Sequence, residues 1–162
     1  MKSMSHDQEE QIVVFRLVDQ IYGIEIGAVI EIIRMESITR LPGTPGFVEG
    51  IINLRGRVIP VIDLRNRFGL AVLGITTDSR IIIVETVDVT IGIVVDAVAE
   101  VLRYSPAGVL PPPAMLDGDG TVIIRGIILD EDRMVILLNN DNILGASEVE
   151  DLNRIQAEKL AV

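Results

Sequence analysis

Short runs of Val, Ile and Leu, separated by turn-forming residues, make up most of this chain. Such runs are typical of β-strands. The clearest pair is Phe47–Ile52 and Val58–Ile62, which flank the stretch Asn53-Leu54-Arg55-Gly56. Asn favours the first position of a tight turn and Gly the last. The pattern therefore predicts a hairpin with Leu54 and Arg55 exposed at its tip.

Short helices are predicted beside the strands. Ala28–Ile33 has apolar residues at helical spacing, and Asp96 is a suitable N-cap for a second helix at Ala97–Leu102. Asp63 can likewise cap a short helix that ends at Gly69. Further strands are predicted at Ile12–Leu17, Tyr22–Ile26, Ile81–Glu85 and Val89–Val95.

The chain contains an internal repeat. At an offset of 69 residues, Tyr22–Arg34 matches Ile91–Arg103, and six of thirteen positions are identical. At an offset of 70, Leu54-Arg55-Gly56 matches Ile124-Arg125-Gly126, which leaves about six extra residues in the second hairpin. A repeat of about 70 residues is too long for a solenoid unit and predicts two related lobes, each an antiparallel barrel. The expected superpositions are Gly23 on Gly92 and Gly56 on Gly126.

The polar start of the chain and its last residues lie outside the repeat. Ser147 and Glu150 form a capping box before an apolar stripe, which predicts a helix that packs against the body of the protein. The predicted organisation is a disordered lead at 1–11, a domain at 12–145 with lobes at about 12–70 and about 80–145, and a C-terminal helix at 147–162.

Composition narrows the class of protein. With 24 acidic and 14 basic residues, the formal net charge is −10. An acidic surface repels phosphate backbones, so nucleic-acid binding is not expected.

The absence of cysteine excludes a disulfide framework and fits a reducing compartment. No apolar run approaches the ~20 residues needed to span a bilayer, and the start lacks the apolar core of a signal peptide. We therefore expect a soluble cytoplasmic protein that does not insert into the membrane.

The familiar catalytic and metal-binding patterns are absent from the sequence. The one histidine, His6, lies in the predicted lead, and there is no glycine-rich nucleotide motif. Asp117-Gly-Asp119 resembles the opening of a calcium loop but lacks the later ligands. Asp130-Glu131-Asp132 falls at a predicted hairpin tip, where a solvated charge run is usual. We expect no enzymatic activity, no cofactor and no metal site.

The most specific motif is the stretch Gly50–Gly56 followed directly by Val58–Arg65. Matching stretches elsewhere are Tyr22–Ile26, Val29–Arg34, Thr39–Pro42, Thr44–Phe47, Gly92–Asp96 and Met134–Leu137. Together they resemble the CheW family, the coupling proteins of bacterial chemosensory arrays, over roughly residues 12–145. The resemblance implies a mainly β fold of two pseudo-symmetric, five-stranded, SH3-like barrels with short helices.

The resemblance also implies an adaptor function without catalysis. Such an adaptor links the cytoplasmic tips of chemoreceptors (methyl-accepting chemotaxis proteins) to the regulatory domain of the CheA histidine kinase. It works at receptor arrays beneath the inner membrane and supports array assembly and kinase control. Position by position, the family's receptor-coupling residues correspond to Val29, Glu31, Gly50, Asn53, Arg55 and Gly56.

Two other functions fit the sequence. One is a CheW-like scaffold of another chemosensory pathway, such as surface motility, with a different receptor and kinase. The other, from a different class, is a small β-barrel that binds or hydrolyses a ligand. The absence of a recognisable polar catalytic cluster counts against the second alternative.

Overall fold

The structure is a computed structural model that describes residues 9–44, 46–70, 74–112, 123–145 and 148–154. Within these ranges, short 3-10 turns and two short helices accompany ten β-strands; one helix is α1 (Leu64–Arg67) and the other spans residues 148–154. The strands are β1 (Glu10–Leu17), β2 (Gln20–Glu25), β3 (Val29–Arg34), β4 (Val48–Leu54), β5 (Arg57–Asp63), β6 (Arg80–Glu85), β7 (Thr90–Val95), β8 (Ala97–Tyr104), β9 (Ile124–Asp130) and β10 (Arg133–Leu138).

The strands form two five-stranded sheets with matching topology. The first sheet has the order β8-β1-β2-β10-β9 and the second has the order β3-β6-β7-β5-β4. Exchanging each strand for the one five places away in the chain converts one order into the other. The mainly β fold with two pseudo-symmetric five-stranded units is therefore confirmed.

The two sheets do not follow the predicted lobes at about 12–70 and about 80–145. Strands β1 and β2 lie in the sheet of β8–β10, whereas β6 and β7 lie in the sheet of β3–β5. The exchange is made by two parallel pairings, β2 with β10 and β5 with β7. A repeat identifies equivalent strands, but long-range hydrogen bonds decide which strands pair, and a repeat alone does not reveal them.

Both segments predicted as helices between strands, Ala28–Ile33 and Ala97–Leu102, belong largely to strands β3 and β8. Each strand contains a register shift at an equivalent place, where Ile30 and Ala99 have no partner in the ladder. An extra residue of this kind is a β-bulge, and it disturbs the regular alternation of a strand. The resulting spacing of apolar residues resembles that of a helix, although β-branched residues favour the strand.

The predicted caps have different outcomes. Asp63 accepts a hydrogen bond from the Arg65 amide at the start of α1, and Gly69 follows the helix with φ of +71°. Both predictions for this helix are confirmed. Asp96 caps no helix, because the segment after it is a strand, and its carboxylate instead accepts from the Val18 amide at 2.6 Å.

Gly23 and Gly92 occupy equivalent positions, as predicted, each in the strand that forms the parallel pairing of its sheet. A Cβ at Gly23 would lie 2.5 Å from Ile12 Cδ1, and one at Gly92 would lie 2.9 Å from Ile81 Cγ2. At both positions a Cβ would require the neighbouring strand's isoleucine to shift, and glycine avoids this.

The predicted superposition of Gly56 on Gly126 is wrong. The register places Gly126 in β9 at the position that Gly50 holds in β4. Both hairpins close with two-residue turns, Arg55-Gly56 and Glu131-Asp132. The extra residues of the second half therefore precede β9 and do not lengthen its hairpin.

Apolar side chains form one cluster between the sheets and one inside each sheet. Strand β1 illustrates the division: Val13, Phe15 and Leu17 point between the sheets, whereas Ile12 and Val14 point into the first sheet. This period of two is the expected geometry of a strand that is buried on both faces.

The helix at residues 148–154 packs against the body of the protein, as its apolar stripe predicts. Leu152 is fully buried in the cluster between the sheets. Glu148 pairs with Arg67, the last residue of α1, at 2.6 Å. Outside the described residues lie residues 1–8 of the predicted lead, the predicted capping residue Ser147 and residues 155–162 of the predicted helix. Glu10 and Gln11 belong to β1.

A buried ionic cluster joins the two sheets. Arg65 is 3% exposed and pairs with Asp63 at 2.9 Å and with Asp96 at 2.8 Å. Asp96 also accepts from the Val18 amide, and its own amide donates to the Arg16 carbonyl at 2.9 Å. Val18 and Arg16 belong to the first sheet's hairpin, while Asp63 ends a strand of the second sheet. The hydrogen bond with Asp63 raises the pKa of Arg65, which keeps the guanidinium charged.

Replacing Arg65 with Met should lower the free energy of unfolding by about 3–5 kcal/mol, because two carboxylates remain buried without their cation. Urea unfolding measures this change. Arg154→Met is the control, since Arg154 pairs with Asp151 while 65% of its side chain is exposed. We expect that variant to lose less than about 0.5 kcal/mol. Equal losses from the two variants would contradict a structural role for the buried cluster.

Candidate functional site

The turn between β4 and β5 forms the tip of the first hairpin. Arg55 and Gly56 have φ of +51° and +88°, the geometry of a type I′ turn. The tip therefore consists of Arg55 and Gly56. Leu54, predicted to be exposed there, is only 8% exposed and packs inside the second sheet. The Asn53 Oδ1 accepts from the Gly56 amide at 2.8 Å and holds the turn closed.

An ion pair between Arg55 and Glu31 orders the tip. The two atoms, Arg55 Nη2 and Glu31 Oε2, are 2.5 Å apart. Glu31 lies in β3 and the tip follows β4, which are the outermost strands of the second sheet. The pair therefore connects the two edges of that sheet. Its hydrogen bond and charge raise the pKa of Arg55. The Arg55 side chain is 72% exposed, so the pair orients the tip more than it stabilises the fold.

Gly50, in β4 behind the tip, allows the chain after β3 to pack closely against this edge of the sheet. Thr39 and Ile51 exchange two backbone hydrogen bonds of 2.9 and 2.8 Å, which bring the chain after β3 against β4. A Cβ at Gly50 would lie 2.5 Å from the Thr39 carbonyl oxygen. Gly126 has the matching role in the first sheet, 2.6 Å from the Leu110 carbonyl oxygen. Both glycines permit a close backbone approach.

Val29 lies on a different side of β3 from the tip. The register shifts between Val29 and Glu31, and Val29 packs against the cluster between the sheets. The structure thus brings Glu31, Asn53, Arg55 and Gly56 together at the tip, with Gly50 buried behind them and Val29 facing the core.

The second hairpin has a tip of opposite charge. Its turn residues are Glu131 and Asp132, and Glu131 has φ of +58°, like Arg55 in the first turn. Arg133 pairs with Glu100 at 2.6 Å and with Asp130 at 2.9 Å. The hydrogen bond with Glu100 and then that with Asp130 raise the pKa of Arg133. In each sheet an arginine thus connects the two edges. In the second sheet it is Arg55, within the turn, and in the first sheet it is Arg133, directly after the turn.

Arg125 does not lie at a turn, although the internal repeat matches it with the tip arginine, Arg55. It lies in β9 and pairs with Glu25 at the end of β2. Glu25 also accepts from the Tyr104 hydroxyl at 2.6 Å, and Glu10 accepts from the same hydroxyl at 3.0 Å. Burial, and then the hydrogen bond to Glu25, raise the pKa of Tyr104. These contacts join four strands of the first sheet, and Arg125 takes part in them through Glu25.

The sequence does not reveal the buried role of Arg65, whereas Arg57 stands out in it as a charge directly after the turn that departs from the commoner family pattern and bears on partner choice. Arg65 follows a strand that ends in Asp63, a pattern that indicates a helix start as readily as a buried ion pair. Arg57 precedes Ile59 and Val61 at spacings of two, which places it on the inward face of β5, at the rim of the sheet.

Among the described residues, no group of three or more His, Asp or Glu side chains is arranged to hold a metal ion. No described helix is long and apolar enough to cross a membrane. The Asp117–Asp119 stretch lies outside the described residues.

Comparison with known proteins identifies the family. The CheW-like domain matches residues 11–148. The chain belongs to the CheW-like domain family. The chemotaxis protein CheW of Treponema pallidum is 31% identical over 151 residues, which cover 91% of this chain and 89% of that protein. CheW of Helicobacter pylori is 35% identical over 144 residues, which cover 88% of this chain and 87% of that protein.

A solved structure agrees with this assignment. The crystal structure of the scaffolding protein TtCheW from Thermoanaerobacter tengcongensis matches with a TM-score of 0.79 and 41% sequence identity. The match covers 91% of this chain and 96% of TtCheW. The resemblance to the CheW family and the fold that it implies are therefore confirmed.

Because Arg55 is 72% exposed, replacing it with Gln should change the thermal unfolding midpoint by no more than about 2 °C. Differential scanning calorimetry measures the midpoint, and Arg65→Met serves as the buried counterpart with a large expected decrease. A decrease of more than about 5 °C in Arg55→Gln would indicate that the tip arginine holds the fold together.

Proposed function

We propose that this chain is a chemotaxis adaptor that couples the cytoplasmic tips of chemoreceptors to the regulatory domain of the CheA kinase. It works in the cytoplasm at receptor arrays, without catalysis of its own, and supports array assembly and kinase control. The observation that carries the proposal is the first hairpin tip, where the most specific motif of the chain places Asn53, Arg55 and Gly56 beside Glu31 on one exposed surface.

The relatives support this function as a whole. Two of them are named chemotaxis protein CheW and a third is a scaffolding protein, and each matches along most of its length. A scaffold acts by holding partners in fixed positions, so it needs surfaces rather than a reactive centre. This requirement agrees with the structural contacts that engage the buried charges of Asp63, Arg65 and Asp96.

The tip has the properties of a preformed protein-binding surface. The type I′ turn, the Asn53 hydrogen bond and the Glu31 ion pair fix its shape before a partner arrives. Preformed surfaces lose less conformational entropy on binding. Arginine is among the residues that most often dominate the binding energy of an interface. We therefore assign receptor binding to the tip, with Arg55 as its main contact.

An adaptor also needs surfaces for more than one partner. The internal symmetry provides two hairpin tips on different sheets, and their charges differ: Arg55 and Arg57 at the first, Asp130, Glu131 and Asp132 at the second. Different charges select different partners. Individual contacts in such assemblies are weak, and strength comes from several contacts acting together.

The purified chain should bind a receptor-tip fragment and the kinase regulatory domain together, each with micromolar affinity. Arg55→Glu should weaken binding of the receptor fragment about thirtyfold, as the loss of a main interface contact does. Isothermal titration calorimetry measures each binary affinity, and analytical ultracentrifugation detects the ternary complex.

The matched control is Arg133→Glu, which removes the arginine that joins the edges of the other sheet. We expect its receptor affinity to stay within about threefold of the original. Equal losses from both variants would contradict the assignment of the receptor to the first tip. An absence of binding to both partners at tens of micromolar would contradict the coupling function.

A further inference from the structure

We infer that Arg57 determines partner specificity at the first hairpin tip by pairing with a carboxylate of the bound receptor. This inference rests on the proposed function, which places the receptor tip on that surface. It adds the chemistry of the contact, an Asp or Glu side chain on the receptor opposite a guanidinium next to the turn.

Arg57 stands at the rim of the second sheet. It is the first residue of β5, it is exposed, and it lies opposite Leu54 in the hairpin. The next residues on its face, Ile59 and Val61, are buried inside the sheet. Its one hydrogen bond to a described side chain is a long contact of 3.4 Å to the Thr90 hydroxyl. Within the described ranges, Arg57 has no carboxylate partner.

The internal repeat provides a reference for an arginine at this position. Arg133 is the equivalent of Arg57, because each directly follows a two-residue turn and begins the second strand of its hairpin. Arg133 has two carboxylate partners, Asp130 opposite it in the hairpin and Glu100 across the sheet edge. An arginine at this rim position thus takes internal carboxylates when the chain supplies them.

Neither of these carboxylates is available to Arg57. Leu54 occupies the position that corresponds to the first of them, the residue opposite the arginine in the hairpin. Glu31 occupies the position of the second, but it is already paired with Arg55 at 2.5 Å. Arg55 therefore connects the edges of this sheet, and Arg57 stays exposed at the rim without a carboxylate partner among the described residues.

On a chain with a formal net charge of −10, an exposed guanidinium without an internal carboxylate partner is a local positive site. An acidic group that approaches this protein meets the least repulsion at such a place. The planar guanidinium can also form two parallel hydrogen bonds with a carboxylate, which gives the contact a defined geometry. These properties suit recognition of an Asp or Glu side chain at the edge of the receptor contact.

The test measures association kinetics of a receptor-tip fragment by surface plasmon resonance. A charge at the rim of an interface acts mainly on the association rate and its salt dependence. At about 50 mM salt, we expect Arg57→Gln to lower the association rate constant about threefold and Arg57→Glu about tenfold. Arg57→Lys, which keeps the charge, should stay within about twofold. At about 500 mM salt, the differences should disappear.

Arg133→Gln is the matched control, and its association rate should equal that of the original chain at both salt concentrations. Equal rates for the original chain and Arg57→Gln at both concentrations would overturn the inference and leave the proposed function intact. An effect of Arg57→Gln on the kinase regulatory domain alone would overturn it as well. If the original chain does not bind the receptor fragment, the proposed function fails, and this inference fails with it.

Discussion

The buried pairing of Arg65 with Asp63 and Asp96 is the interaction on which the arrangement of the two sheets depends. It holds the end of a strand in the second sheet against the hairpin of the first sheet, through Val18. Three charged groups out of water are unfavourable unless each finds its partners, so the cluster tolerates little change in geometry. Around it, apolar side chains from both sheets form the largest cluster of the core. The two sheets therefore share one core cluster and one ionic cluster.

This construction explains how a small chain can present distinct binding surfaces with a fixed relation between them. Exchange of the first hairpins means that each sheet contains strands from both halves of the sequence. The hairpin tips then differ only through a few surface residues, while the framework beneath them is repeated. At the first tip the edge-joining arginine lies in the turn, at Arg55. At the second it lies one position after the turn, at Arg133. Because of this difference in position, the turn presents an arginine to a partner at the first tip and acidic residues at the second.

Much of this fold could be predicted from the sequence, because strand composition and the match of Tyr22–Arg34 with Ile91–Arg103 are local signals. The exchanged pairing of strands could not, since it arises from hydrogen bonds between residues far apart in the chain. The bulges at Ile30 and Ala99 produced false helical spacing for the same reason, because a bulge is defined by the neighbouring strand. At the site, the motif located the hairpin, but the ion pair that orders its tip required the folded structure.

Mapping the receptor contact on the intact chain by NMR tests most directly whether the receptor binds at the first hairpin tip. Titration of isotope-labelled protein with an unlabelled receptor-tip fragment identifies the amides whose chemical shifts change. We expect the largest changes at residues 53–57 and around Glu31, and no change in the turn at residues 131–132. Changes concentrated at the second turn, or spread evenly over both tips, would contradict the claim that the first hairpin tip is the receptor-binding surface.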